Sequence, residues 1–101
     1  MHRLTLPVSS QALVPDGAQV TWTGGPPPDE DALVVWQALN DDRVTTYAAL
    51  VERAGERLFR RDLDALGAAA DIGFLRSFYA AYARQVIAGL AGTLLRIGAP
   101  A

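Results

Sequence analysis

The stretch TGGPPP, from Thr23 to Pro28, constrains the fold of this chain more than any other feature. Each of its three prolines lacks a backbone N–H donor and holds φ at about −65°, so neither a helix interior nor a central strand continues through them. The chain is therefore divided into a short part before the prolines and a long part after them. We interpret residues 24–28 as a stiff Gly/Pro connector between these parts.

The part before the prolines has the pattern of β-structure. Residues 18–23 alternate between apolar and polar side chains, and a Pro-Asp-Gly turn precedes them. We therefore predict a small hairpin over residues 12–23, with residues 3–8 as an additional edge strand, and we assign residues 1–23 to a β-hairpin arm. A hairpin alone is marginal in water, so its apolar face must pack on helices or on a partner.

The part after the prolines, residues 29–101, has the periodicity of helices, and we predict about four of them. The first begins at an Asp29 cap and ends at Asn40. The second begins near Thr45 or Thr46 and ends or kinks at Gly55, because glycine disfavours helix interiors. The predicted inward stripe of the first helix is Ala32, Val35, Trp36 and Leu39.

The third predicted helix begins at Glu56 and ends near Gly67, and the fourth is the longest. After a cap at Asp71, the fourth helix extends to about Ile97 and carries two adjacent apolar lines, which are more than one neighbouring helix covers. The first line is Ile72, Leu75, Tyr79, Tyr82 and Val86, and the second is Phe74, Phe78, Leu90, Leu94 and Ile97. We predict a single, mainly α domain over residues 1–101.

Composition excludes several classes of function. The 101 residues have a net charge of −2, half are hydrophobic, and there is no Cys for a thiolate nucleophile or metal site. His2, the only histidine, lies beside the first residue, so a nucleophile has no plausible histidine base. Phosphate-binding and calcium-binding motifs are absent from the sequence. We therefore expect no enzyme activity, no cofactor and no bound metal.

The sequence also favours a location in the cytoplasm. Its first ten residues, MHRLTLPVSS, have no long apolar run of the signal-peptide type. The longest apolar run, Val86–Leu95, is much shorter than the roughly 20 residues that span a bilayer. Arginine without lysine, together with abundant alanine, glycine and proline, is typical of a GC-rich bacterial or phage genome. We expect a soluble cytoplasmic protein without a membrane span.

An arginine ridge raises the question of nucleic-acid binding. Three of its members recur every four residues, as the contacts of a helix with a phosphate backbone would require. Four acidic residues lie among the four arginines between positions 50 and 64, so the segment is locally neutral. We favour a solvated, ion-paired face and keep a small nucleic-acid-binding regulator as the alternative function. The residues of this ridge are Arg53, Arg57, Arg60 and Arg61.

The last predicted helix favours association with a protein. It combines excess apolar width with glycines, which cost about 1 kcal/mol each relative to alanine inside a helix and permit close approach of another backbone. We predict a non-enzymatic interaction or assembly subunit, part of a larger bacterial or phage assembly, that docks through this helix and the N-terminal edge strand onto a protein partner or a second copy. The predicted interface residues are Phe78, Tyr82, Ala88, Gly89 and Gly92.

Overall fold

The computed structural model describes residues 14–66 and 71–100, within which there are three helices and two strands. The protein is mainly helical, as predicted, and the two strands form one antiparallel sheet. The predicted edge strand at residues 3–8 lies outside the described residues. In chain order the elements are β1 (Ala18–Trp22), α1 (Glu30–Asn40), α2 (Tyr47–Leu66), α3 (Ile72–Leu90) and β2 (Leu95–Pro100).

The strand β1 pairs with β2 at the other end of the described chain. Val20 lies opposite Ile97 in the antiparallel register. The sheet of the described residues is thus formed by distant segments and not by the hairpin predicted over residues 12–23, of which residues 12 and 13 lie outside the described part. The turn before β1 is closed by a hydrogen bond from the Ala18 N–H to the Pro15 carbonyl at 3.1 Å. The sheet therefore joins the start and the end of the described chain.

The helix α3 ends at Leu90, although the sequence predicted that it would extend to Ile97. Gly92 has φ +86°, a left-handed conformation that glycine adopts without steric cost, and its N–H donates to the Leu95 carbonyl at 2.9 Å. Beyond this turn the chain alternates as a strand does, since Leu95 is fully buried and Arg96 is exposed. The apolar residues after the turn belong to a strand and not to a helix.

Two predicted helix starts are confirmed by their capping bonds. The Asp29 carboxylate accepts a hydrogen bond from the Ala32 N–H at 2.8 Å, and the Asp71 carboxylate accepts one from the Phe74 N–H at 3.2 Å. Each bond satisfies a backbone donor that the first turn of a helix leaves free. The first helix ends at Asn40, as predicted.

The buried face of α1 differs from the predicted stripe. Trp36 and Leu39 are only half-buried, whereas Val34 and Ala38 are buried. The cause is that α1 contacts α2, α3 and β1 together, so its inward face is broader and turned relative to a single stripe. The prediction that Trp36 lies in the core was wrong. The buried residues of α1 are Ala32, Val34, Val35 and Ala38.

Gly55 lies inside α2, where the sequence predicted a break between two helices. A Cβ atom at this position would lie 3.2 Å from the Tyr79 carbonyl oxygen and 3.4 Å from the Ala80 Cα. The backbone of α3 therefore passes directly over the glycine, and the close contact compensates for its poor helix propensity. The predicted second and third helices are one continuous helix, so the described chain has three helices instead of four.

One hydrophobic core holds the described elements together. Buried apolar side chains from both strands and all three helices belong to a single cluster. The sheet joins the helices through a hydrogen bond from the Val20 N–H to the Thr45 carbonyl at 2.9 Å, next to the start of α2. The largest fully buried side chains are Leu50, Leu58, Ile87, Leu95 and Val35.

Replacing Gly55 by leucine tests the contact between α2 and α3. We expect Gly55→Leu to lower the free energy of unfolding by about 1–3 kcal/mol, the usual cost of overpacking, because the new side chain collides with the α3 backbone. The control is Gly89→Ala on α3, since nothing lies within 4 Å of a Cβ there. That variant should be more stable by about 0.5–1 kcal/mol. Urea unfolding measures both, and a harmless Gly55→Leu would contradict the close contact.

Candidate interaction surface

Phe74 and Phe78 form the most exposed aromatic surface of the described helices. They are 65% and 51% exposed and lie one turn apart on α3. Ala81 and Gln85 continue the same line at helical spacing and are also exposed. We call these four residues the α3 stripe. None of the four carries a charge, so the stripe is an uncharged surface with two aromatic rings at one end.

Neither arginine of α3 belongs to the stripe. Arg76 forms an ion pair with Glu56, and its guanidinium lies 5.2 Å from the centre of the Phe59 ring on α2. Arg84 lines a groove together with Tyr47 and follows Ala81 by three residues, so it lies beside the C-terminal end of the stripe. There is no acidic residue in α3. The aromatic end of the stripe is therefore the end that lies away from the exposed arginine Arg84.

The exposed ring of Phe78 is held by aromatic contacts that lead into the core. Its centroid lies 5.1 Å from that of Tyr79, with the rings nearly perpendicular at 84°, and 6.3 Å from that of Tyr82. Tyr79 in turn contacts Phe59 on α2, with centroids 5.8 Å apart. Edge-to-face and tilted pairs of this kind are favourable because of the ring quadrupoles. The stripe is thus supported from beneath by packed rings.

A polar network ties the three helices together beneath these rings. The Tyr79 hydroxyl donates to the Asp62 carboxylate at 2.8 Å, and the Tyr82 hydroxyl donates to the Asp31 carboxylate. Arg61 donates to Asp31 at 2.7 Å and to Asp62 at 2.8 Å. Asp31 belongs to α1, Arg61 and Asp62 to α2, and the tyrosines to α3. We call these five residues the tyrosine–carboxylate network.

Every ionisable side chain in the network keeps its usual protonation state at neutral pH. Hydrogen bonds from Tyr82 and Arg61 lower the pKa of Asp31, and a hydrogen bond from Arg61 is the main cause that lowers the pKa of Asp62. Asp31 raises the pKa of Tyr82, and burial raises that of Tyr79. Asp62 and Asp31 raise the pKa of Arg61. All of these shifts move the pKa values further from pH 7. The network therefore stabilises the structure and does not act as an acid–base pair.

The five predicted interface residues do not all lie on α3. Phe78 belongs to the α3 stripe, Tyr82 is half-buried beside it, and Gly89 is exposed near the end of α3. Ala88 follows Gln85 by three residues and lines the groove with Tyr47. Gly92 lies in the turn after α3, so the prediction that all five residues belong to one helix was wrong. Their role in docking stays a prediction.

Most of the predicted arginine ridge is ion-paired within the described residues. Arg57 donates two hydrogen bonds to Asp42, both of 2.9 Å, and Arg60 donates to Glu56 at 3.0 Å. A third arginine belongs to the tyrosine–carboxylate network. Arg53 is exposed and makes no side-chain hydrogen bond to a described residue. The ion pairs favour the structural interpretation of the ridge, and nucleic-acid binding stays an untested alternative.

The sequence interpretation did not predict the contacts of the network, and it did not place Phe74 among the interface residues. Asp31 lies in the first turn of α1, but its partners Arg61 and Tyr82 are 30 and 51 positions away in the chain. No local pattern marks such a distant pairing. Phe74 had a detectable signal, because it lies one turn before Phe78 in the second apolar line of the predicted helix.

Further searches add no functional assignment. Among residues 14–66 and 71–100, no three His, Asp or Glu side chains lie close enough together to hold a metal ion. No helix in this part of the chain combines the length and apolar character that a membrane crossing requires. Comparisons with protein-family models, with curated proteins and with solved structures found no match.

The network makes the stability of the protein depend on pH in a defined direction. A lowered carboxyl pKa in the folded state adds stability above the unfolded pKa of about 3.9, and this stability is lost as the pH falls through the folded pKa. We expect Arg61→Gln to cost about 1 kcal/mol at pH 7, the upper end for exposed ion pairs. The difference from the unaltered protein should shrink steadily as the pH is lowered toward about 2.

Urea unfolding at several pH values measures this difference. The control is Arg53→Gln, since Arg53 makes no side-chain hydrogen bond to a described residue and has only the smallest of the effects that lower the pKa of Asp42, so its dependence on pH should be much weaker than that of Arg61→Gln. If Arg61→Gln lowers the free energy of unfolding equally at neutral and acid pH, Arg61 does not stabilise the ionised carboxylates of Asp31 and Asp62.

Proposed function

We propose that this protein is a non-enzymatic interaction or assembly subunit that docks through α3. The observation that carries the proposal is the α3 stripe, in which Phe74 and Phe78 are more than half exposed on one face. Large aromatic side chains are enriched in protein–protein interfaces, and adjacent exposed ones are typical of binding surfaces. The rings beneath Phe78 hold it in place, so little side-chain freedom is lost when a partner binds.

A second copy of the same chain is the partner that fits this stripe best. A twofold interface brings the same surface of both subunits together, so any charge on it meets its own copy. The α3 stripe carries no charge, and Arg76 is held to the side by its ion pair with Glu56. Two stripes therefore pack against each other at their aromatic ends without like-charge repulsion. A different protein partner is the competing outcome of the experiment below.

The size of the stripe sets the expected strength of the dimer. A stable interface usually buries about 800 Å² per partner, and each aromatic side chain supplies about 150–250 Å² when it is fully buried. Two partly exposed phenylalanines with Ala81 and Gln85 cover less than that area. We therefore expect a weak dimer with a dissociation constant in the micromolar range, which forms at high local concentration, as in an assembly.

Light scattering on the full chain tests this proposal. At about 100 µM, well above a micromolar dissociation constant, we expect a mass approaching twice the monomer mass of 10.8 kDa. The double variant Phe74→Ser and Phe78→Ser should have the monomer mass at the same concentration, because it removes both rings from the surface. The matched control is Leu33→Ser, which changes an exposed apolar residue on α1. It should leave the dimer intact.

Thermal unfolding of the same variants shows that each is folded. A monomeric parent protein at about 100 µM contradicts self-association through the stripe and leaves a different protein partner as the docking hypothesis. A dimer that survives the double variant but not Leu33→Ser places the interface on α1.

A further inference from the structure

The C-terminal half of α3 lines an apolar groove. The groove has a volume of about 220 Å³ and lies where the C-terminal half of α3 meets the start of α2 and the strand β2. Its walls include Val14, Ile87 and Ile97. At about 30 Å³ per water, this volume equals that of about seven waters, so a ligand of roughly seven to ten non-hydrogen atoms fills it.

Tyr47 lines this groove and carries a buried polar group that has no partner among the described residues. The residue is only 5% exposed, and its hydroxyl has no hydrogen-bond partner among the described residues. Buried polar side-chain atoms nearly always have a partner, and an exception calls for an explanation. Burial is the main cause that raises the pKa of Tyr47, so the hydroxyl keeps its proton and is available as a donor.

Arg84 supplies a positive charge at the rim of the same groove. Its side chain is exposed and makes no hydrogen bond or ion pair with a described residue. Burial has the largest effect on the pKa of Tyr47 and raises it. The charge of Arg84 has the second-largest effect and lowers it, so this charge acts on the Tyr47 hydroxyl. Asp16 has the opposite and smaller effect on this pKa. The groove thus combines apolar walls with two hydrogen-bond donors and a local excess of positive charge.

We propose that this groove binds a small apolar monocarboxylate, such as a short aliphatic or aromatic acid. The hydrocarbon part packs against Ile87 and Ile97, and the carboxylate accepts hydrogen bonds from the Arg84 guanidinium and the Tyr47 hydroxyl. The Tyr47 hydroxyl is buried in the protein without ligand, so binding requires that the carboxylate displace neighbouring side chains to reach it. Charge-assisted hydrogen bonds of this kind are roughly twice as strong as neutral ones, so the acid is preferred to its neutral analogue.

This inference is independent of the proposed dimer. The groove involves Arg84 and Ala88 in the C-terminal half of α3, whereas the two rings proposed to carry the dimer, Phe74 and Phe78, lie in its N-terminal half, at least six residues away. The double phenylalanine variant that abolishes self-association should therefore bind the acid normally. Loss of acid binding in that variant would show that the groove depends on the dimer, against the independence stated here.

The experiment is an NMR titration of the full chain with hexanoate, and with 1-hexanol as the neutral analogue. We expect saturable shifts of the methyl signals of Val14, Ile87 and Ile97 with hexanoate, and at least about tenfold weaker binding of hexanol, the factor that a charge-assisted bond supplies. Arg84→Gln should weaken hexanoate binding about tenfold by the same argument. The matched control Arg96→Gln changes an exposed arginine next to Ile97 and should bind as the unaltered protein does.

Tyr47→Phe gives a second, distinct readout. It removes the unpaired hydroxyl, so the variant without ligand should be at least as stable as the parent, while its hexanoate binding is weakened about tenfold. A role in packing alone would not weaken hexanoate binding. The proposal is overturned if hexanoate produces no saturable shifts, if hexanol binds equally well, or if Arg84→Gln binds hexanoate as Arg96→Gln does.

Discussion

The packing of the α3 backbone on Gly55 is the contact on which the rest of the structure depends. A Cβ at this position would lie 3.2 Å from the Tyr79 carbonyl oxygen, so α2 and α3 approach each other as closely as their backbones allow. This approach brings Phe59 against Tyr79 and places the Tyr79 hydroxyl 2.8 Å from Asp62. It also fixes the rotation of α3, which leaves Phe78 outside and Arg84 beside the groove.

The pairing of β1 with β2 completes the fold at its other end. Thr23 donates its N–H to the Leu94 carbonyl at 2.8 Å, so the segment before the prolines is bound to the turn that follows α3. Leu95 contributes a fully buried side chain to the core. A sheet made from distant segments pays a loop-closure entropy that a local hairpin avoids, and the shared core compensates for it.

Local signals in the sequence predicted the features that depend on neighbouring residues. The caps at Asp29 and Asp71 were predicted because a cap involves only the first turn of its helix. The ion-paired face of the arginine segment was predicted from local spacing as well, and Glu56 pairs with Arg60 four residues later. The fold class followed from the change of periodicity after the prolines.

The features that were missed depend on distant contacts. Gly55 has the local character of a helix breaker, and only the backbone of α3 shows why it lies inside a helix. Short apolar runs do not distinguish helix from strand, and Leu95 and Ile97 were therefore assigned to a helix. The partners of Asp31 in the tyrosine–carboxylate network are far away in the chain, so this part of the site had no sequence signal.

The most direct measurement of the central contact is a nuclear Overhauser effect between the Hα protons of Gly55 and Ala80. A Cβ built on Gly55 lies 3.4 Å from the Ala80 Cα, so we predict a strong cross-peak between these backbone protons. The cross-strand contact of Val20 with Ile97 serves as the internal control for a folded sample. Cross-strand peaks without the peak between Gly55 and Ala80 would contradict the account, because α3 would then not lie on Gly55.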